Sequence, residues 1–168
     1  TDPGTHYQNG FSKSSLAAGG IRNIKPHAGM KWSVRNAELE VLFTQEELYP
    51  KKLSLYNDSS MVIRMTLAGQ TVLWLGDIQT NASDVICAMY RENLKSDMVQ
   101  VAHHGGNGAT EQIYTLIRPT VAFWPCDRAN YQGYIRHFPA SDLLANRLGV
   151  KENIVAEPDR TLTLPFVP

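Results

Sequence analysis

Three short segments, Thr71–Leu75, Met98–Ala102 and Thr120–Trp124, carry apolar side chains at odd and even positions alike. A strand of that kind must be covered on both faces, so it belongs inside a layered sheet and not on a half-solvated ribbon. Stretches with helical spacing separate the three. Asn81–Leu94 has apolar residues at 85, 86, 89, 90 and 94, a stripe of period 3.6. Glu111–Ile117 reads as a helix stopped by Pro119, and Ser141–Leu148 as a helix that follows Pro139-Ala140 and ends at Gly149. Alternating buried strands and helices predict a layered α/β fold with helices on at least one face of the strands.

Upstream, Lys31–Arg35 and Glu38–Phe43 read as strands, the second alternating Leu39, Val41 and Phe43 with polar neighbours. Met61–Leu67 and Thr71–Leu75 form a hairpin around Ala68-Gly69-Gln70. Residues 45–60, with Pro50, Asn57, Asp58, Ser59 and Ser60, read as a connecting loop. Ile154–Ala156 and Thr161–Phe166 are two closing strands. Residues 1–28, rich in Gly, Ser and Asn, read as a poorly ordered lead-in or long loop before one lobe over 29–168. The polar opening, without an initiator Met or an apolar leader, is what a chain beginning partway into a longer reading frame would show.

Composition narrows the function classes. Sixteen Lys and Arg balance sixteen Asp and Glu over 168 residues, which argues against a basic nucleic-acid grip. No apolar run approaches the roughly 20 residues of a membrane helix. The compartment stays undetermined by the sequence, with the cytoplasm favoured over others. Cys87 and Cys126 stand apart from any Cys-x-x-Cys pair and so offer neither a disulfide framework nor a thiolate zinc site. Cys87 falls in the helical stripe and reads as a small core residue. His6 and His27 lie in irregular segments and read as exposed, and the charges of Arg91–Lys95 as a solvated helix end.

Chemistry-bearing residues gather just past the ends of the apolar strands, where open α/β sheets place their ligands. Leu75-Gly76-Asp77 ends one strand in a carboxylate, and Val101-Ala102-His103-His104-Gly105 ends the next in paired imidazoles. The Pro125–Pro139 loop after the third holds Asp127, Arg136 and His137. One carboxylate and several imidazoles converging there would suit a divalent metal such as zinc or iron.

Two passages resemble the metallo-β-lactamase-fold hydrolases. Asn57-Asp58-Ser59-Ser60-Met61-Val62-Ile63, followed by Leu73-Trp74-Leu75-Gly76-Asp77, is similar to the family's "N-x-S-x-V … L-x-G-D" passage. Leu94-Lys95-Ser96-Asp97 through His103-His104-Gly105 is similar to the "L-K-x-D … H-H-G" passage of its ComEC-like branch. Arg118-Pro119 through Trp124 and Arg136-His137-Phe138-Pro139 match that branch more loosely. The resemblance spans residues 30–166, and its specific part is the Gly-Asp and His-His-Gly pair, 26 residues apart from Asp77 to His103.

The resemblance implies the C-terminal half of an αββα sandwich with a two-zinc site between its halves. Asp77, His103 and His104 would be metal ligands, with Asp77 and His104 also in catalytic roles. Asn57, Ser59 and His137 would support the ligands or meet the substrate. A metal-activated water would attack a phosphodiester or acyl-type bond of a substrate the sequence does not identify. The His-x-His-x-Asp-His loop that supplies most family ligands is absent from these 168 residues. The implied partner is a missing N-terminal half, or a second copy across the open sheet face, and the fragment alone would be inactive. Two other readings stay open: a non-catalytic binding or structural module with a degenerate site, and an unrelated α/β domain whose His-His-Gly is coincidental.

Overall fold

A computed structural model describes residues 24–48 and 57–156. Seven strands pair in sequential order in one sheet: β1 (Lys31–Val34), β2 (Ala37–Phe43), β3 (Val62–Leu67), β4 (Gln70–Trp74), β5 (Met98–Gln100), β6 (Val121–Trp124) and β7 (Glu152–Val155). Strands β1 to β4 pair antiparallel in succession, and two of those three pairings are tight hairpins. Two-residue turns at Arg35-Asn36 and Ala68-Gly69 return the chain antiparallel, with Arg35, Ala68 and Gly69 at the positive φ that tight hairpins need. From β4 onward helices carry the crossovers and the strands run parallel. These helices are α1 (Thr80–Tyr90), α2 (Glu111–Ile117), α3 (Arg128–His137) and α4 (Pro139–Asp142), the last running into a π turn over Leu143–Arg147.

The helices lie against one face of the sheet. Leu73, Val99 and Ala122 stand in one row of the register and meet Ile86 of α1, Ile113 and Ile117 of α2, and Leu144 in a single buried core. The next row, Trp74, Gln100 and Phe123, turns the other way. That second face carries a groove of about 210 Å³ lined by strand residues, among them Met65, Val72, Trp74, Met98, Phe123 and Ile154. Trp74 is 40% exposed there, against 0% for Trp124 in the core. The architecture is α/β, a mixed seven-stranded sheet with helices on one side, as one half of a sandwich requires.

Several expectations need correction. The Pro125–Pro139 segment, read as a loop, is mostly α3. Its start is fixed by Asp127, whose carboxylate accepts from the Asn130 backbone N–H at 2.8 Å. Gly133 and the charged flanks hid Tyr131 and Ile135, which pack against the core. The helix expected over 141–148 is instead the α4 turn plus a π turn. The strand expected over Met98–Ala102 stops at Gln100, because Ala102–Gly105 forms a tight turn. Residues 45–60 contain short 3₁₀ turns at Gln45–Leu48 and Asn57–Ser59. Thr161–Phe166 and residues 1–23, His6 included, lie outside the described residues.

Cys87 is 3% exposed, and burial, with Asp84 adding to it, pushes its thiol up to about 11. An acid whose folded-state pKa is raised favours the folded state below its ordinary range and loses that contribution as pH climbs toward the raised value. Stability should therefore fall between about pH 9 and 11 more in the wild-type chain than in Cys87→Ala. Thiol labelling of native protein at pH 8 should be slow at Cys87 and faster at the half-buried Cys126, which mass spectrometry of labelled peptides would read.

Candidate functional site

Parallel pairing brings the C-terminal ends of β4, β5 and β6 to one edge, and the chain leaves β4 and β5 with left-handed backbone. Gly76 has φ 59, and a Cβ there would stand 2.8 Å from the Ser60 Cβ. The turn is anchored by Ser60 Oγ, which accepts from the Asp77 N–H at 3.0 Å. After β5, His103 (φ 48, ψ 42) and His104 (φ 60, ψ 4) are both left-handed. Two adjacent non-glycine residues in that region store about 1 kcal/mol or more each, held by the surrounding structure. Gly105 follows at φ 96 against the Trp124 ring. The two loops are tied directly, since His103 N–H donates to Gly76 O at 3.0 Å.

This geometry brings Asp77 and His104 together: His104 Nε2 lies 3.7 Å from Asp77 Oδ1. The two rings of the pair have different surroundings. His104 Nδ1 is 2.8 Å from Pro125 O, and a carbonyl only accepts, so Nδ1 carries the proton and donates. The His104 Nε2 edge then faces a carboxylate, half-exposed like its partner. His103 Nδ1 likewise donates to Asn107 O at 3.0 Å, but its Nε2 is met by Asn57 Nδ2 at 3.4 Å. The Asn57 amide thus occupies the His103 nitrogen that a metal would need, whereas His104 offers its own toward Asp77.

The other expected residues stand elsewhere. His137, near the end of α3, bonds by Nδ1 to Gly133 O at 2.7 Å, within its own helix. Asp127 is a helix cap. Ser59 sits in the Asn57–Ser59 turn, but the hydroxyl that meets the Asp77 backbone belongs to its neighbour Ser60. The expected gathering of a carboxylate and several imidazoles from three strand ends is not found. Among the described residues no group of three or more His, Cys, Asp or Glu side chains is placed to hold one metal ion.

Sequence reasoning passed over several supporting residues. Asp58, 1% exposed, caps α1 from a distant turn, its Oδ1 accepting from Gln79 N–H at 2.7 Å and from Ala82 N–H at 3.4 Å. Tyr114, fully buried, accepts from Ala102 N–H at 3.1 Å, just before the histidines, and burial lifts its hydroxyl far above the ordinary range. The Gln100 amide lies between the two site loops. The available signal was a polar side chain inside an apolar strand, Met98-Val99-Gln100-Val101-Ala102. Among the described residues no helix is long and apolar enough to cross a membrane.

The left-handed backbone at 104 has a direct consequence. His104→Ala keeps the strain and loses the bond to Pro125 O, whereas His104→Gly loses the bond and removes the strain. The Gly variant should be the more stable of the two by about 1 kcal/mol, read from denaturant midpoints. A Gly variant no more stable than Ala would show that the turn is not held in the left-handed region.

No family model matches the chain. A stretch of 75 residues, 44% of the chain, is 28% identical to "ComE operon protein 3" of Bacillus subtilis (strain 168), and covers 10% of that protein. The chain thus spans about a tenth of the length of the curated relative it matches. The likeness is distant and carries no activity with it.

Proposed function

We propose that this chain is one lobe of a metal-dependent hydrolase of the metallo-β-lactamase type, and that Asp77 and His104 are its contribution to a divalent-metal centre completed by donors outside the described residues. The observation that carries the reading is the facing pair. With Nδ1–H committed to Pro125 O, His104 Nε2 stands 3.7 Å from Asp77 Oδ1. Two acceptors facing one another call for a cation between or beside them. An imidazole nitrogen and a carboxylate oxygen suit zinc in kind, but two donors fall short of the three or four that zinc sites use. When bound, such an ion would supply an activated water for attack on a phosphodiester or acyl-type bond. The role of this chain is to present Asp77 and His104 from rigid strand ends, with His103 held aside by Asn57. The apolar groove around Trp74 is the surface on which a second lobe would rest.

A specific observation supports the alternative, a binding or structural module without catalysis. Among the described residues nothing joins Asp77 and His104 as a third donor. In that case the pair is a polar contact at the surface.

Zinc titration of the 168-residue chain, followed by NMR and calorimetry, separates the two readings. Expected are weak binding, removed by dialysis, with shifts centred on His104 and Asp77, loss of that binding in Asp77→Ala and in His104→Ala, and no turnover of phosphodiester or lactam substrates by the chain alone. Zinc that leaves both residues unmoved would favour the module. Zinc retained through dialysis, or robust turnover by this chain, would show that a complete site is present.

A further inference from the structure

The structure assigns to Gln100 the part of a positioning residue that sets the spacing between the Asp77 and His104 loops; the assignment rests on that pair being the working pair proposed above. Register pairing between β4 and β5 ends at Trp74 with Gln100. Beyond it the chains run on as Leu75-Gly76-Asp77 and Val101-Ala102-His103, and a side chain supplies much of what the ladder no longer does. Gln100 Oε1 accepts from Leu75 N–H at 3.1 Å and from Gly76 N–H at 2.8 Å. Its Nε2 donates to Val101 O at 2.6 Å and to Gly76 O at 3.3 Å.

A primary amide has two acceptor lone pairs and two N–H donors, and here all four are used. Glu would keep the acceptors and place a second oxygen against two carbonyls, and Lys would lose the acceptors. The amide also fixes Gly76 O, the same atom that accepts from His103 N–H. One side chain, 9% exposed, therefore holds both loops one residue from Asp77 and, through Gly76 O, at the first histidine. Its neighbours in the register row are Trp74 and Phe123, so nothing polar on that row competes for it.

The test is metal-free, and is run on the 168-residue chain. In the wild-type background, Asp77→Asn should move the His104 ring resonances, because the carboxylate lies beside that ring. In Gln100→Met and Gln100→Glu backgrounds the same substitution should move them less than half as much, and in Gln100→Met, which lacks the acceptor, the Leu75 and Gly76 amides should also lose protection from exchange. Leu94→Ala, a core change far from this edge, controls for destabilisation and should leave the coupling intact. Should Gln100→Met fail to fold, Gln100→Glu, which keeps both N–H acceptors, gives the answer. Undiminished coupling in a folded Gln100 variant would overturn the assignment. So would an equal loss in Leu94→Ala, since the effect would then be general loosening. A wild-type chain that binds no zinc but shows the coupling and its loss would refute the metal proposal while leaving the positioning role in place.

Discussion

Gly105→Ala is expected to remove a large fraction of the folding stability, about 2–6 kcal/mol. Gly105 has φ 96, where L side chains are strained, and a Cβ there would stand 2.6 Å from Cζ3 and 2.7 Å from Cε3 of Trp124. The first effect costs about 1–3 kcal/mol. Overpacking a fixed core adds about 1–3 kcal/mol. Neither group can yield easily. Trp124 is fully buried and its Nε1–H donates to Asn153 Oδ1 at 2.9 Å, while Gly105 O accepts from the buried Ser141 hydroxyl at 2.6 Å. Set against a typical domain stability of about 5–15 kcal/mol, the sum is a large fraction. Denaturant unfolding checks it, and Gly133→Ala, in open space within α3, should by contrast be neutral or stabilising. A Gly105→Ala chain with wild-type stability would mean that the His-His-Gly turn does not sit against Trp124.

Trp124→Ala should lower stability by about 3–5 kcal/mol, the range for deleting a large buried aromatic. The indole supports Gly105 from below, meets the Tyr131 ring edge-on at a centroid distance of 4.9 Å, and hydrogen-bonds Asn153 of β7. Its loss removes the floor of the candidate site and a tie between β6 and β7 together. Trp74→Ala is the instructive comparison. Trp74 is 40% exposed on the groove face, so much of its surface is never taken from water, and its loss should cost clearly less than that of Trp124. Chemical denaturation of both variants, with tryptophan emission to separate a wet indole from a dry one, reads the contrast directly. Equal losses would mean that the groove face is as well covered as the helix face.

The antiparallel half of the sheet was legible because its signals are local. Alternation in Glu38–Phe43 and the Ala68-Gly69 turn depend only on neighbours in sequence. Cys87 was likewise placed correctly from helical spacing, and is buried. Helix α3 was missed because its stripe is interrupted by Gly133 and its cap, Asp127, looked like a site carboxylate. An acidic residue after a strand serves equally as a helix cap or as a ligand, and sequence does not separate the two.

The sequence by itself determined the α/β class, the first two helices after β4 with the strands they separate, and the placing of Asp77, His103 and His104 at strand ends, since each follows from periodicity and the end of an apolar run. Tertiary structure alone decided which of those residues meet. His104 turns to Asp77 and His103 turns to Asn57 because two consecutive left-handed residues send adjacent rings to different neighbours. Asp58 reaches α1 across a gap of 21 residues to Gln79, and Gln100 spans two diverging strands. Those partners lie far apart along the chain and are chosen by packing, because a buried polar group must find its donors or acceptors wherever the fold happens to bring them.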